Sequence, residues 1–323
     1  MARLRRSNVV GADEAGSLRL RAAWLYYNHG LTQKDVADQL GIGRTTVIRL
    51  LDEARRRGEV RFWIEEGEAR CVELALKLEA VLGLDEAIVV PGGGDVDGTA
   101  RAVGLALGRF LSEGICDGMT IGVGWGRTLT ASLASFRPPQ LDRCRVLSLL
   151  GGAVDTQFAN PMDFSWQLAD RMAAECYLYP APLLVDSAAT KTALIERCGL
   201  GRLYAIAERL DLAVLSVGDI GPRSTSLVRH LVGADEMETL VGLGAVGDIL
   251  CNFLDASGAT VPHTIADRVM SIDLATIARA GHIALACGGA HRAAAILAAI
   301  RRVGCHTLVT DEDAGRALLN LAA

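Results

Sequence analysis

Long hydrophobic runs are absent from this sequence, although half of its 323 residues are apolar. No run reaches the roughly 18 residues that a membrane-spanning helix needs, so we expect no membrane association. Residues 1–16 contain arginines with no apolar stretch behind them, which argues against a secretory signal peptide and predicts a flexible arm. We therefore expect a cytoplasmic protein.

Paired cysteines are also absent. The eight cysteines are scattered and none forms a C-x-x-C pair, which indicates reduced thiols rather than a disulfide framework. Neither Cys287 with His291 nor Cys305 with His306 completes the four-ligand set that zinc prefers. We therefore expect neither a bound metal nor a cofactor.

Lysine is scarce, since only Lys34, Lys77 and Lys191 occur among the 33 basic residues. The charge is also uneven along the chain. Residues 1–61 carry twelve basic and seven acidic residues, a balance of +5, so the remainder of the chain carries −10. A basic end joined to an acidic body indicates that this end meets a polyanion.

The basic end has the pattern of a helix-turn-helix, which we place at residues 17–66. Apolar residues at helical spacing predict three helices separated by glycine turns, the second turn being Gly41. Thr32 is expected to cap the second helix and Gly43 the third. A small residue at Ala37 would let the two helices of the motif cross closely.

The start of the third helix is predicted to face outward and to read a DNA major groove. Arginine favours guanine edges there, and hydroxyl groups suit several bases. The residues expected to contact DNA are Thr32, Gln33, Gly43, Arg44, Thr45, Thr46, Ile48 and Arg49. The alternative interpretation is a three-helix bundle that binds protein, or that binds nothing.

Residues 67–86 have the pattern of a linker helix, because Cys71, Leu74, Leu78 and Leu82 recur at spacings of three or four. This helix would be either a dimer seam or a strut packed on the large domain. Helix-turn-helix proteins usually bind two half-sites as dimers, so an oligomerising element is expected somewhere in the chain.

Residues 87–323 alternate strand patterns with helical patterns, which predicts a Rossmann-like α/β domain whose mostly parallel sheet is covered on both faces. The expected strands are 87–92, 119–124, 145–152, 212–218, 268–273, 283–289 and 306–311. The expected helices are 99–113, 127–135, 162–175, 188–198, 291–302 and 312–320. Ligands of such sheets bind beyond the carboxyl ends of the strands.

A glycine-rich segment at one such strand end reads TIGVGWGRTL, residues 120–129. Gly122, Gly124 and Gly126 are expected to let backbone N–H groups face one point, where an anion would bind at the start of a helix. The glycine spacing matches neither the nucleoside-triphosphate loop nor the dinucleotide fingerprint. A plain tight turn explains the segment equally well.

Two further segments add charged side chains at strand ends. In CGGAHRAAAI, residues 287–296, Arg292 opens a helix and is expected to hold a phosphate, a solvent-facing arginine being the alternative. In GLGAVGDILCNFLDASG, residues 242–258, Asp248 is expected to accept hydrogen bonds from sugar hydroxyls or else to cap a helix.

Taken in order, these segments resemble the SorC family of bacterial sugar-binding transcriptional regulators. The resemblance rests on the helix-turn-helix, VGWGRTL, LLGGAV, GAVGDI with NFLD, CGG with its following arginine, and a closing LVTDE. It extends over essentially the whole chain after residue 16. The resemblance implies an effector-binding and oligomerisation domain over residues 87–323, similar in fold to sugar-phosphate isomerases and glucosamine-phosphate deaminases.

The resemblance also implies partners and site residues. The partners would be palindromic double-stranded operator DNA near a carbohydrate-catabolic operon, a phosphorylated sugar or polyol effector, and further copies of the chain, forming a tetramer. Some relatives form a Schiff base with the sugar, but only Lys191 offers an amine for that chemistry, and we expect it to be a surface lysine. The effector-binding residues would be Gly124, Trp125, Gly126, Arg127, Thr128, Gly151, Gly152, Asp248, Gly288, Gly289, His291 and Arg292.

The alternative function is a sugar-phosphate isomerase or deaminase-like enzyme fused to a helix-turn-helix domain. Isomerisation needs a general base positioned beside a carbon acid. The candidate bases are Asp186, Asp219 and Asp248, and the candidate acids are His263 and His291. Because no supporting constellation surrounds them in the sequence, we expect a DNA-binding regulator that is not an enzyme.

Overall fold

The computed structural model of the chain describes residues 12–60, 66–138, 141–153, 161–221 and 232–322. The chain divides into two compact units, Met1–Glu65 and Glu66–Ala323. Among the described residues, none of the helices combines the length and hydropathy required to cross a bilayer. A short strand expected from the alternation over residues 60–64 falls almost entirely outside the described residues.

The first unit consists of helices in the predicted order. Helix α1 begins inside the segment expected to be an arm and continues as one π-helical turn, closed by a hydrogen bond of 3.3 Å from His29 N–H to the Trp24 carbonyl. The elements are α1 (Ala12–Ala23), the π turn (Trp24–Asn28), α2 (Gln33–Leu40) and α3 (Arg44–Arg56).

The helix boundaries of the first unit follow from its capping residues. The Thr32 hydroxyl accepts from the Asp35 N–H at 3.3 Å, and the Asp35 carboxylate accepts from the Thr32 N–H at 3.2 Å. Gly41 ends α2 in the left-handed region with φ 68°, and Gly43 caps α3. The predicted cap at Thr32 and both glycine positions are therefore confirmed.

The core of the first unit lies where α2 crosses α3. Ala37 is 5% exposed, and its small side chain lets α3 approach α2 closely. Arg19 of α1 pairs with Glu59 beyond α3, which ties the first helix to the end of the third. The other buried members of this core are Ala22, Ala23, Val36, Val47, Leu50, Leu51 and Ala54.

The second unit is built on a seven-stranded sheet in which every strand pairs in parallel. The strand order is β1-β10-β9-β5-β2-β3-β4. Six of the predicted strands are confirmed, with ends that are up to four residues shorter. The strands are β1 (Glu86–Val90), β2 (Thr120–Val123), β3 (Arg145–Ser148), β4 (Glu175–Tyr177), β5 (Leu212–Leu215), β9 (His282–Ala286) and β10 (Thr307–Asp311).

Helices cover both faces of this sheet, as its apolar strands require, and two hydrophobic cores result. Val103, Leu107 and Phe164 belong to the core on one face, and Ile296 and Leu318 to the core on the other. The helices are α4 (Glu66–Leu82), α5 (Val96–Gly114), α6 (Arg127–Ser132), α7 (Pro161–Met172), α8 (Ala188–Arg197), α9 (Gly201–Ala207), α10 (Ala234–Gly242), α11 (Leu274–Ile277), α12 (Ala293–Val303) and α13 (Glu312–Ala322).

A small antiparallel sheet was not predicted. It consists of β6 (Gly218–Asp219), β7 (Ala245–Ile249) and β8 (Asn252–Asp255). Leu250 and Cys251 form the turn between β7 and β8 with φ of 50° and 63°, a conformation that non-glycine residues rarely adopt, so composition gave no turn signal. The predicted strand at 268–273 is wrong, because that segment forms only isolated bridges.

Helix α4 corresponds to the predicted linker helix. Leu74 and Leu78 are buried against the rest of the second unit, where Gly315 of α13 provides the space that their side chains fill. Within the chain, α4 is therefore a strut packed on the large unit.

Candidate functional site

The start of α3 presents basic and hydroxyl side chains, together with Ile48, to solvent. Arg44, Thr45, Ile48 and Arg49 are exposed, and the side of the helix that carries Val47 is buried. An exposed, basic first turn on the second helix of the motif is the arrangement with which such proteins read a major groove. The predicted DNA-contacting residues of this helix therefore share one accessible surface.

Side chains of α2 and α3 also contact each other at this surface. Arg44 donates from Nε to the Gln33 side-chain oxygen at 3.4 Å, so these two predicted DNA-contacting residues are held side by side. The Thr32 hydroxyl donates to the Asp35 carboxylate at 2.6 Å while accepting its backbone N–H. Thr32 therefore caps α2, and its contact with DNA stays a prediction.

In the second unit, the chain reverses its direction of travel across the sheet between β2 and β5. Strands β3 and β4 follow on one side, and β9, β10 and β1 lie on the other. Sheets of this kind bind ligands at the carboxyl edge of such a switch point. Gly126, which follows β2, lies against Ser216, which follows β5.

The expectation that three glycine N–H groups converge beyond β2 is wrong. Gly122 lies within the ladder of β2, and the Gly124 N–H donates to the Val214 carbonyl at 2.9 Å, which continues the pairing with β5. Of the three glycines, Gly126 has a backbone conformation that favours glycine, with φ 134° at the N-cap of α6. Trp125 is half-buried and packs against the core.

Arg127, the first residue of α6, is held over the sheet edge by an ion pair. Its Nη1 lies 2.5 Å from the Asp97 carboxylate in the first turn of α5, and the two side chains are 43% and 81% exposed. Thr128 is buried in the following position. A solvated pair of this type contributes only ~0–1 kcal/mol, so an incoming anion can compete for Arg127.

Gly151 and Gly152, beyond β3, donate backbone hydrogen bonds to neighbouring chain segments. The Gly151 N–H donates to the Met270 carbonyl at 2.8 Å and the Gly152 N–H to the Ala181 carbonyl at 2.9 Å. A Cβ at residue 151 would collide with Ala181, which explains the glycine there by close packing of chain segments.

Asp248 lies in β7 and does not cap a helix, so that alternative is wrong. Its side chain is buried, and Oδ2 accepts from the Cys251 N–H at 2.9 Å, closing the β7–β8 turn. Within the described residues, Oδ1 has no hydrogen-bond partner. Burial, together with the nearby charge of Asp219 and against the Cys251 hydrogen bond, raises the pKa of Asp248 to about 7.

Arg292 is neither solvent-facing nor unpaired. Its Nε donates to Oδ1 of Asp219 at 3.3 Å, its Nη1 donates to the Gly288 carbonyl at 3.4 Å, and its side chain is 11% exposed. The antiparallel register pairs Asp219 with Gly247 and Gly218 with Asp248. Asp219 and Arg292 therefore form a buried ion pair, and Asp248 lies on the neighbouring strand, where burial and the charge of Asp219 raise its pKa.

The Gly288–Gly289 loop is fixed by Asp311, at the end of β10. The Gly289 N–H donates to Oδ1 of Asp311 at 2.7 Å, whereas Oδ2 is buried and lacks a hydrogen-bond partner in the described part of the chain. Close packing of Thr99 and Asp311 leaves no room for a Cβ at residue 288. His291 follows this loop with an exposed ring.

A cavity of about 900 Å³ opens beside these loops. Its polar lining consists of Asp219, Glu238 and His291, and most of its wall is apolar, including Val96 and Val246. Apolar walls with a few polar groups suit a small molecule whose hydroxyl groups bind carboxylates and imidazole. In the part of the chain that the structure describes, no group of three His, Cys, Asp or Glu residues is arranged to hold a metal.

Of the predicted effector residues, His291 lines this cavity, and Arg127 is connected to it through Asp97, the neighbour of the lining residue Val96. The role of Asp97 and Asp311 was not predicted, and Asp219 was considered only as a base for the enzyme alternative. A carboxylate directly after an apolar strand, as in LVTD, was the available signal for Asp311.

The two units match two family models. Residues 16–62 match a "Homeodomain-like domain", and residues 68–320 match a "Putative sugar-binding domain". The Brucella abortus (strain 2308) protein named "Erythritol catabolism regulatory protein EryD" is 31% identical over 315 residues, which span 95% of this chain and 98% of that protein. The chain belongs to the SorC family of sugar-binding transcriptional regulators. The predicted resemblance is thereby confirmed.

Other members of the SorC family align over nearly the same length. "Transcriptional regulator LsrR" of Enterobacter sp. (strain 638) is 31% identical over 308 residues, covering 94% of this chain and 92% of that protein. The full-length Sorbitol Operon Regulator SorC from Klebsiella pneumoniae superimposes with a TM-score of 0.71 at 24% identity, over 96% of this chain and 100% of that one. The predicted fold class is confirmed.

The names of these relatives also bear on the enzyme alternative. They are named as regulators and align over nearly the whole chain, so the chain is a transcriptional regulator. Among the groups considered as catalytic candidates, Asp219 is paired with Arg292, Asp248 is buried, and the His263 ring accepts from the Ile265 N–H at 3.2 Å.

Proposed function

We propose that this cytoplasmic regulator controls a carbohydrate or polyol catabolic operon and responds to a phosphorylated sugar or polyol. The name of the EryD relative, which refers to erythritol catabolism, supports a polyol as the effector. The proposed arrangement comprises an arm (1–16), a DNA-binding domain (17–66), a linker helix (67–86) and an effector-binding domain (87–323) that also forms the oligomer.

The observation that carries the proposal is the position of the cavity relative to Arg127. Asp219, Glu238 and His291 supply hydrogen-bonding groups to the cavity, and none of the lining residues in the described part of the chain is an arginine or a lysine. Arg127 is connected to the cavity through one ion pair, since its partner Asp97 follows the lining residue Val96 in the sequence. We infer that hydroxyl groups of the effector enter the cavity and that its phosphate replaces the Asp97 carboxylate as the ion-pair partner of Arg127.

The other residues predicted for the effector site have positioning roles in this proposal. Gly126 and Thr128 shape the loop that carries Arg127, and Gly288 and Gly289 shape the border that carries His291. Arg292 holds Asp219 through their ion pair, which orients the Asp219 carboxylate for a sugar hydroxyl, and Asp248 closes the β7–β8 turn on the neighbouring strand. A direct contact between Arg292 and a phosphate would require Arg292 to leave Asp219.

The effector controls DNA binding by favouring one arrangement of a homo-oligomer, which we propose to be a tetramer. A ligand changes the population of two arrangements only through a difference in its affinity for them. Two DNA-binding domains spaced for a palindromic operator bind with Arg44 and Arg49 in successive major grooves. A shift in that spacing changes the operator affinity.

Thermal unfolding of the full chain with matched ligand pairs tests the proposal. The probes are erythritol, sorbitol and glucose, each with and without a phosphate. We expect one phosphorylated probe to raise the unfolding temperature, because a ligand that binds only the folded state stabilises it. If no phosphorylated probe raises the unfolding temperature while a free polyol does, the proposal that the effector is phosphorylated is refuted. Conversion of a probe to product would contradict the assignment as a sensor.

A further inference from the structure

Helix α4 has two apolar faces, and the second unit covers only one of them. The covered face carries Cys71, Leu74, Ala75 and Leu78. The other face is exposed, with 58% of Val72 and 60% of Leu76 accessible to solvent. Sequence spacings of three and four align this second set on one side of the helix, and we call it the outer stripe: Ala69, Val72, Leu76 and Ala80.

The outer stripe continues into a groove along the edge of the large sheet. This groove of about 270 Å³ lies between α4 and β1, which is the end strand of the sheet order. Val72 and Leu76 line one wall, and Ile88 and Val89 line the other. The apolar surface at this edge is therefore wider than one helix face.

The opposite edge of the sheet is protected by charge. Arg145 and Glu175 pair across β3 and β4 at 3.4 Å, and the Arg202 guanidinium lies over the Tyr177 ring at 5.5 Å. Charged side chains on an edge strand are a common means of preventing association. The contrast between the edges marks the β1 side as the one suited to association.

Association at the β1 side is expected to use the helix and not strand addition. The Glu79 carboxylate accepts from the Ala87 N–H at 2.9 Å, which occupies a backbone donor that an added strand would need. The accessible partner surface is thus the outer stripe, with the groove beside it.

We propose that the outer stripe packs against the outer stripe of a second copy of this chain, in an antiparallel pair of α4 helices. Charge supports this occupant, because Glu73 and Lys77 lie together on one flank of the stripe, 2.6 Å apart. A twofold axis near residue 75 places Glu73 level with Lys77 of the second copy, and Lys77 level with its Glu73. Each of these four side chains therefore gains an oppositely charged partner on the other helix, at the rim of an apolar contact.

This interface deepens the proposed function, on which it rests for the requirement that two DNA-binding domains act together. The pairing joins two chains through the helix that follows each DNA-binding domain in sequence. It therefore names the surface by which the regulator forms the dimer within its oligomer.

Sedimentation equilibrium of the full chain tests the interface. Leu76→Glu should reduce the mass to half of the wild-type value or less, because a charge enters the apolar contact. Val81→Glu is the matched control, since Val81 is 52% exposed on the same helix but lies about 140° around the axis from Leu76. Wild-type mass for Leu76→Glu, or a monomeric wild-type chain, would overturn the proposal.

A charge exchange gives a second test that involves no core residue. Glu73→Lys and Lys77→Glu should each weaken the association, and the double variant E73K/K77E should restore it, because both interhelical pairs re-form. No recovery in the double variant would contradict the antiparallel pairing.

The thermal response of Leu76→Glu to sugar phosphates separates this interface from the proposed function. A Leu76→Glu variant that has the reduced mass and still responds supports both proposals. Absence of a response in every variant, with the mass changes as expected, would leave the interface standing and refute the proposed effector.

Discussion

The Arg292 guanidinium and the Asp219 carboxylate form an ion pair of 3.3 Å in which the two side chains are only 11% and 9% exposed. The arginine that the sequence offers as a phosphate ligand is therefore already neutralised by a carboxylate. Asp248 lies on the neighbouring strand, where burial and the charge of Asp219 raise its pKa.

Breaking this pair from one side should destabilise the second unit. Arg292→Ala leaves Asp219 buried without its cation, and we expect a loss of roughly 3 kcal/mol in the free energy of unfolding. The double variant R292A/D219A should lose less than the sum of the two single variants. Urea unfolding followed by fluorescence measures all three, and additive losses would show that the pair does not act as a unit.

Asp248 should make stability depend on pH. Because the pKa of Asp248 is raised from 3.8 to about 7 in the folded chain, the folded state holds the proton more tightly than the unfolded state. The contribution of Asp248 to the free energy of unfolding is fully present below about pH 4 and is lost as the pH rises through about 7.

Asp248→Asn removes this titration while keeping an acceptor for Cys251. The variant should gain stability relative to the wild type as the pH rises from about 4 to 7, by up to roughly 4 kcal/mol. Urea unfolding at stepped pH measures the difference, and a difference that stays constant across this range would refute the assignment.

Arg44 and Arg49 should dominate DNA binding. A bidentate contact of arginine with a base contributes about 1–3 kcal/mol, so R44A/R49A should weaken binding to a selected operator about a hundredfold or more. The operator affinity of this double variant should also fall less steeply with salt concentration than that of the wild type. Fluorescence anisotropy measures both, with Arg109→Ala, exposed on α5, as the control. Unchanged operator affinity in R44A/R49A would show that α3 is not the DNA-recognition helix.

Arg127 should discriminate a phosphorylated effector from its dephosphorylated analogue. Arg127→Ala should weaken the phosphorylated ligand about tenfold or more, as expected for a lost charged hydrogen bond, and should change the free polyol little. Asp97→Asn should bind the phosphorylated ligand at least as tightly as the wild type, because the competing carboxylate is gone. Calorimetric titration compares the ligands, and equal losses for both would place the phosphate elsewhere.

The elements that sequence predicts well are those with local signals. The helix-turn-helix follows from Thr32, Gly41 and Gly43, whose capping roles depend only on near neighbours. The parallel strands follow from continuous apolar runs between helical patterns. The small sheet was missed because the turn at Leu250 and Cys251 has positive φ without glycine, so tertiary packing determines it.

The site was predictable only as a set of loops at one edge of the sheet. Sequence places Gly126, Arg127 and Arg292 at strand ends, but it does not show that Asp97 pairs with Arg127 or that Asp219 pairs with Arg292. These partners are 30 and 73 residues away in the chain. Burial of Asp248 likewise depends on elements far from it in sequence, so its raised pKa had no local signal.

Operator affinity as a function of effector concentration tests the central claim most directly. The measurement is fluorescence anisotropy of the full chain on a duplex that the protein itself selects from a random pool, titrated with the phosphorylated probe that raises its unfolding temperature. The account predicts that this probe changes operator affinity about tenfold or more and that R127A abolishes the change while retaining DNA binding. An operator affinity that stays constant at saturating probe would contradict it.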